Sequence, residues 1–286
     1  METLNLSRLA KHFSDEDSAR ALLESMRWPN GAACPHCGGA DPYRLTPKAG
    51  SKTRKGLWKC RACRKQFTVT VGTIFEDSHI PLSKWLLAIH LLCASKKGMS
   101  ARQLHRMLGV TYKSAWFMAN RLRYAMSQEP LASKLAGVVE VDETYIGARH
   151  KRGTRRGRPG PDSHKTPVVA LVERGGRVRA IPMPRITAEN LKTAMSAHMD
   201  PDATLMTDEL VTYKALRHPD HQTVNHSVGE YVRADVHVNS AEGFFSLLKR
   251  GINGVYHHVG KGHLGRYCDE FSFRYDSRKL PDAGTG

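Results

Sequence analysis

A ten-residue stretch, Val138-Val-Glu-Val-Asp-Glu-Thr-Tyr-Ile-Gly147, constrains this chain more than any other. It is rich in β-branched and aromatic residues and closes on a glycine, so it reads as a strand. Three acids, Glu140, Asp142 and Glu143, sit in its middle. Period-2 alternation puts Glu140 and Asp142 on one face and Val139, Val141 and Tyr145 on the other. A carboxylate inside an apolar strand is costly unless something positive pairs with it. A basic run, His150-Lys151-Arg152 through Arg158, follows at once. An acid on a rigid sheet beside a basic loop suggests a divalent cation and a polyphosphate substrate. A strand acid paired with Lys or Arg is the competing reading.

Charge narrows the partner. The 286 residues carry a formal net charge of +17, spread along the chain, which points to an anionic polymer. No apolar run approaches the ~18 residues of a membrane span, and the first residues do not read as a secretory signal. Four of the six cysteines form two Cys-x-x-Cys pairs, which fits a metal site in a reducing bacterial cytoplasm better than a disulfide framework.

Those pairs are Cys34-Pro-His-Cys37 and Cys60-Arg-Ala-Cys63. Each makes a knuckle presenting two thiolates, and a hairpin between them brings four around zinc, the preferred structural arrangement. His36 between the ligands is expected to be solvated. Before the ribbon, Leu4 to Met26 reads as helix with a break or cap at Ser14 to Asp17. After it, Ser83 is expected to cap a helix through Cys93. Helices Ala101 to Leu108 and Tyr112 to Met126, joined at Gly109, form a helix-turn-helix pattern. Tyr112, Lys113 and Ser114 would lie near base edges, with Arg121 and Arg123 on backbone or in solvent.

Downstream, strands are expected at Thr166 to Val172, Arg177 to Met183, Ala203 to Thr207 and Gln222 to His226. Helices are expected from Thr187 to Met199, over Glu209 to Leu216, from Asn239 to Lys249 and from Leu264 to Phe273. Three strands in a meander followed by alternating helices and strands make a mixed α/β sheet of the ribonuclease H type. Domains follow as 1–30, an N-terminal helical segment; 31–80, the zinc ribbon; 81–130, the helix-turn-helix-like domain; 131–279, the ribonuclease H-like domain; and 280–286, a frayed tail.

In that topology Asp142 and Asp208 converge at one sheet edge, and the late helix supplies a third oxygen. Magnesium or manganese held by a few carboxylates and substrate phosphates would support in-line phosphoryl transfer. Asn239-Ser-Ala-Glu242 admits two readings. It fits a capping box, with Asn239 as N-cap and Glu242 reaching back. It also offers a metal ligand, preferably Glu242 as the anionic oxygen, otherwise Asn239. Lys249, two turns beyond Glu242, is placed to touch DNA backbone. Arg152, Arg155, Arg156 and Arg158 of the basic loop would hold phosphates.

Several motifs together resemble the IS1595 group of insertion-sequence transposases, with an ISXO2-like DDE domain. They are Arg27-Trp-Pro-Asn-Gly31 before the ribbon, Val141-Asp-Glu-Thr-Tyr-Ile-Gly147, Thr207-Asp208-Glu, His237 through Gly251, Tyr256-His-His and Asp269 through Tyr275. The resemblance covers nearly the whole chain. It implies divalent-metal cutting and joining at transposon terminal inverted repeats, with target DNA as second partner and at least a homodimer. It carries the acidic roles onto Asp142, Asp208 and the Asn239/Glu242 position. A non-catalytic DNA-binding regulator and a nuclease that cuts without joining are the alternatives.

Overall fold

The computed structural model describes residues 15–46, 50, 54–128, 133–147, 165–225, 227, 229–230 and 232–279. The expected start of the first helix, the basic loop with Arg152, Arg155, Arg156 and Arg158, and the tail lie outside these residues. The chain divides into two compact units: residues 1–94, 101–122 and 282–286, and residues 95–100 and 123–281.

In the first unit, helix α1 (Glu16–Arg27) starts where the Asp15 carboxylate accepts the Ser18 N–H. Three short strands, β1 (Pro42–Arg44), β2 (Trp58–Cys60) and β3 (Gln66–Phe67), pair antiparallel in chain order. Trp28 meets the rings of Trp58 and Phe67 edge to face over this small sheet. Helices α2 (Leu82–Ala94), α3 (Ala101–Leu108) and α4 (Tyr112–Met126) follow. Trp85, Ala88, Leu92, Leu104, Ala115, Met118 and Ala119 are fully buried on them within this unit.

The start of α2 corrects the expectation for Ser83. The helix begins at Leu82, and its free N–H groups are taken from a distance: those of Leu82 and Ser83 both donate to the Glu16 carboxylate. Proline at position 81 has no N–H to satisfy, so a carboxylate from α1 supplies what a local Ser would otherwise give.

The second unit is built on a five-stranded mixed sheet. Its strands are β4 (Val138–Gly147), β5 (Lys165–Glu173), β6 (Val178–Pro182), β7 (Thr204–Thr207) and β8 (His221–Thr223), in the order β6-β5-β4-β7-β8. β4, β5 and β6 form an antiparallel meander, while β7 and β8 add parallel to β4. This is consistent with the expected ribonuclease H-like domain. Helix α5 (Ala188–His198), capped by Thr187, and the short α6 (Val211–Lys214) connect the later strands. Helix α7 (Asn239–Gly251), a π-helical turn (Ile252–Tyr256) and α8 (Leu264–Asp276) complete the unit.

The alternation of β4 sorts its side chains between two cores. Val139 and Val141 pack with Val169, Leu171, Leu191 and Leu205 on the α5 side. Ile146 packs with Val168, Ala170, Phe244, Leu248 and Phe271 on the α7 and α8 side. The central strand is therefore apolar on both faces, as a covered sheet requires, apart from its acids.

Candidate active site

Strand pairing brings the first two acids together. Val141 of β4 stands opposite Thr207, the last residue of parallel β7, so Asp208 leaves the sheet beside Asp142. Ligand oxygens of Asp142, Glu143 and Asp208 all lie within 4.8 Å of one another. Burial, followed by the charge of Glu143, pushes the Asp142 carboxyl up to about 7, with Asp208 and Glu242 adding to the effect. The local backbone works the other way, since the Glu143 N–H donates to Asp142 Oδ1 at 2.7 Å. Asp208 Oδ1 accepts the Leu210 N–H at 3.0 Å, which turns the chain away after β7.

Glu143 is the member of this cluster to which sequence reasoning gave no role. Period-2 alternation assigns it to the α5 face, but where β7 stops its carboxylate joins Asp142. The buried Tyr213 hydroxyl donates to Glu143 Oε2 at 2.9 Å. Burial first, then the nearby carboxylates, hold Tyr213 far above the usual phenol range, so it stays a donor. A Val-Asp-Glu run at the end of a parallel pair was the available signal.

Glu140 shares a face with Asp142 but does different work. It is wholly buried, and its partners are numerous. Arg174 Nε donates to it at 2.9 Å, His237 Nδ1 stands 3.2 Å away, and Ser240 Oγ donates at 3.0 Å. The backbone N–H groups of Ser240 and Ala241, the first turn of α7, also donate to it, at 2.7 and 3.3 Å. The Glu140 carboxylate thus caps α7 across the fold and meets its positive dipole end.

This overturns the capping-box reading. The residue before α7 is Val238, no side chain within the helix caps it, and Asn239 is its first helical residue. With the orphan N–H groups held by Glu140, Glu242 is not needed as a local cap. Glu242 is exposed on the first turn, with its charge felt at Asp142. Asn239 is exposed as well. Lys249 is exposed near the far end of the same helix.

The four cysteines meet as the spacing predicts. Sγ atoms of Cys34, Cys37, Cys60 and Cys63 lie within 4.8 Å of one another. Each knuckle is followed by a residue in the left-handed region, Gly38 at φ +74° and Arg64 at φ +60°. The donor set, four thiols at tetrahedral reach, fits structural zinc. His36 is exposed, as expected.

On the first turn of α4, Tyr112 and Lys113 are exposed. Ser114 is half-buried, and its N–H donates to Thr111 Oγ1, which caps the helix. Arg121 turns inward to the carbonyls of Ile74 and Glu76 at 2.8 and 2.7 Å and lies over the Phe117 ring. Arg123 corrects its expectation outright. It is buried to 1% exposure, pairs with Glu270 at 2.7 Å and lies over the Tyr267 ring. Glu270 also takes Arg274 and the Tyr256 hydroxyl. A cation so enclosed has no reach to solvent or phosphate.

A carboxylate cluster on the central strand of a mixed sheet, in a chain that also carries a four-cysteine ribbon, offers one donor set suited to hard divalent cations and another suited to zinc. Comparison with known proteins makes this specific. Residues 134–276 match the ISXO2-like transposase domain and residues 14–66 the transposase zinc-ribbon domain. The chain belongs to the IS1595 transposase family with its ISXO2-like DDE domain. It is 32% identical to an uncharacterized protein in transposable element ISH50 of Halobacterium salinarum, over 95% of this chain and 94% of that one. No solved structure matches the chain. Among the described residues no helix is long and apolar enough to cross a membrane.

Proposed function

We propose that the protein cuts DNA at transposon terminal inverted repeats and joins the freed 3′ ends to target DNA. The observation that carries this reading is the meeting of Asp142, Glu143 and Asp208 within 4.8 Å on the central strand pair of an ISXO2-like domain. Like charges held this close, with one carboxyl pushed up by burial and then by its neighbours, make a donor set that suits hard divalent cations. Asp142, Asp208 and Glu242 would hold magnesium or manganese, which supplies charge neutralisation and nucleophile activation in phosphoryl transfer when bound. Glu143, oriented by Tyr213, adds its carboxylate to those of Asp142 and Asp208. Glu140 fixes the start of α7, and with it the angle from which Glu242 approaches. Lys249 extends the same helix face toward the DNA backbone.

The zinc ribbon and the Tyr112–Ser114 turn would bind the repeat sequence, with Tyr112, Lys113 and Ser114 at base edges. Arg152, Arg155, Arg156 and Arg158 would hold phosphates. Two ends must be joined, so the active form is at least a homodimer on DNA, acting at the bacterial nucleoid.

The test is a labelled end substrate with Mg²⁺ and an Asp142→Asn variant. Loss of both cut and joined products, with DNA affinity kept, is the expected result. Unchanged activity in the variant rejects the catalytic assignment. Cut product without any joined product, in the unaltered protein, makes it a nuclease.

A further inference from the structure

The chain leaving α7 is irregular in two ways at once. The helix widens into the π-helical turn Ile252–Tyr256, a form that recurs at functional sites. Directly after it, His257 has φ +59° and ψ −44°, and the His258 N–H donates to the Tyr256 carbonyl at 2.6 Å. A bond from residue i+2 to residue i around such a centre is the rare, strained form of the γ-turn. Strain of this kind persists only where the surroundings impose it.

The result is a wall of a small cavity, about 180 Å³ in volume. His257 and His258 line it together with Lys249 from α7, and with Tyr145 and Lys165 from the paired ends of β4 and β5. The His257 ring is oriented by Nδ1, which stands 3.2 Å from the Asn253 carbonyl oxygen. Among the described residues no carboxylate lines this cavity. Two ammonium groups, two imidazoles and a phenol converge on a space suited to one small anion. The acidic cluster lies further back along β4, at Asp142. Lys249 is seven residues beyond Glu242 on α7, roughly 10 Å along the helix.

We infer that this cavity seats a backbone phosphate of the bound DNA strand, close along the strand to the phosphodiester that is cut. Lys165, His257 and His258 are then positioning residues that set the strand's register over the carboxylates. The inference rests on the proposed reading of the site as one that acts on DNA.

The experiment uses the full chain and an end duplex in which single phosphates are replaced, one at a time, by neutral methylphosphonates. In the unaltered protein, one replacement within a few nucleotides of the cut is expected to weaken binding several-fold. In a Lys165→Ala, His258→Ala variant that particular penalty disappears, and the slope of log affinity against log salt shrinks by about 0.9 per lost contact. His257→Gly serves as a second variant, because glycine accepts the backbone conformation while removing the ring, so a folding defect does not confound it. It is expected to bind DNA more weakly while melting no lower than the parent. An unchanged methylphosphonate profile and salt slope in the variants, with Asp142-dependent cleavage intact, overturns the phosphate seat and leaves the proposed function standing. Failure of the unaltered protein to bind any end duplex overturns both.

Discussion

Asp142 and Glu140 are two positions apart on one face of β4, and the protein treats them oppositely. Glu140 is surrounded by donors, so its charge is compensated. Removing one partner of such a buried set typically costs about 3–5 kcal/mol, because the others are left uncompensated. Glu140→Ala is therefore expected to lower stability by that order in urea titration and to abolish cleavage. Glu140→Gln, which keeps shape and some hydrogen bonding, is expected to lose less.

Asp142 is raised to about 7 by burial and like charge. A carboxyl whose folded pKa exceeds its unfolded value favours the native state while protonated. Its contribution falls as pH rises from about 4 to 7, since the native state then binds more protons than the unfolded one. In metal-free protein, Asp142→Asn is accordingly expected to raise stability above pH 7 by roughly 1–3 kcal/mol. That gain should vanish below about pH 4. Thermal melts of both proteins in chelator across this range check it; an unchanged difference at all pH values contradicts it.

At the scale of elements, both α2 and α7 are started by glutamates far away in sequence, Glu16 and Glu140. Glu16→Ala should cost about 1 kcal/mol, the usual loss for a removed cap. Hydrogen exchange should speed up in the first turn of α2 before anything else in that unit. The far end of α7 is set by close approach. An added Cβ at Gly251 would overlap the Phe271 ring of α8. Gly251→Ala is expected to destabilise by about 1–3 kcal/mol through overpacking, although alanine is the better helix former. A smaller side chain in its place, Phe271→Leu, should recover part of that loss in a double-mutant comparison.

For the molecule as a whole, the two units rest on different physics. The first has a small apolar cluster around Cys34, Cys60 and Phe67, and its ribbon is expected to depend on zinc. Chelation should expose sites in residues 31–80 to protease while fragments from 165–279 stay protected. Simultaneous loss of both would contradict separate stabilisation. The second unit has two apolar layers on either side of β4 and β5, and a charged buried knot of Arg123, Glu270 and Arg274.

Local chemistry was enough for much of this. Two Cys-x-x-Cys pairs determine a ribbon whatever follows, because four thiolates have one preferred arrangement. The alternating and apolar runs of β4 to β7 determine strands and nearly their limits. Asp142 and Asp208 were legible as partners because a parallel neighbour must bring strand ends together. What the sequence could not reveal was which charges serve the fold. Arg123 reads as a surface cation on a basic helix, and only packing against α8 makes it a buried partner of Glu270. Asn239 and Glu242 read as a cap, and only Glu140, a hundred residues earlier, takes that task from them. Glu143 alternates away from Asp142 on paper, but the stop of β7 and the Tyr213 hydroxyl bring it in. Spacing decides periodic contacts within an element. Burial and hydrogen-bond partners are decided only when distant elements meet, since the energy of a charge depends on what surrounds it.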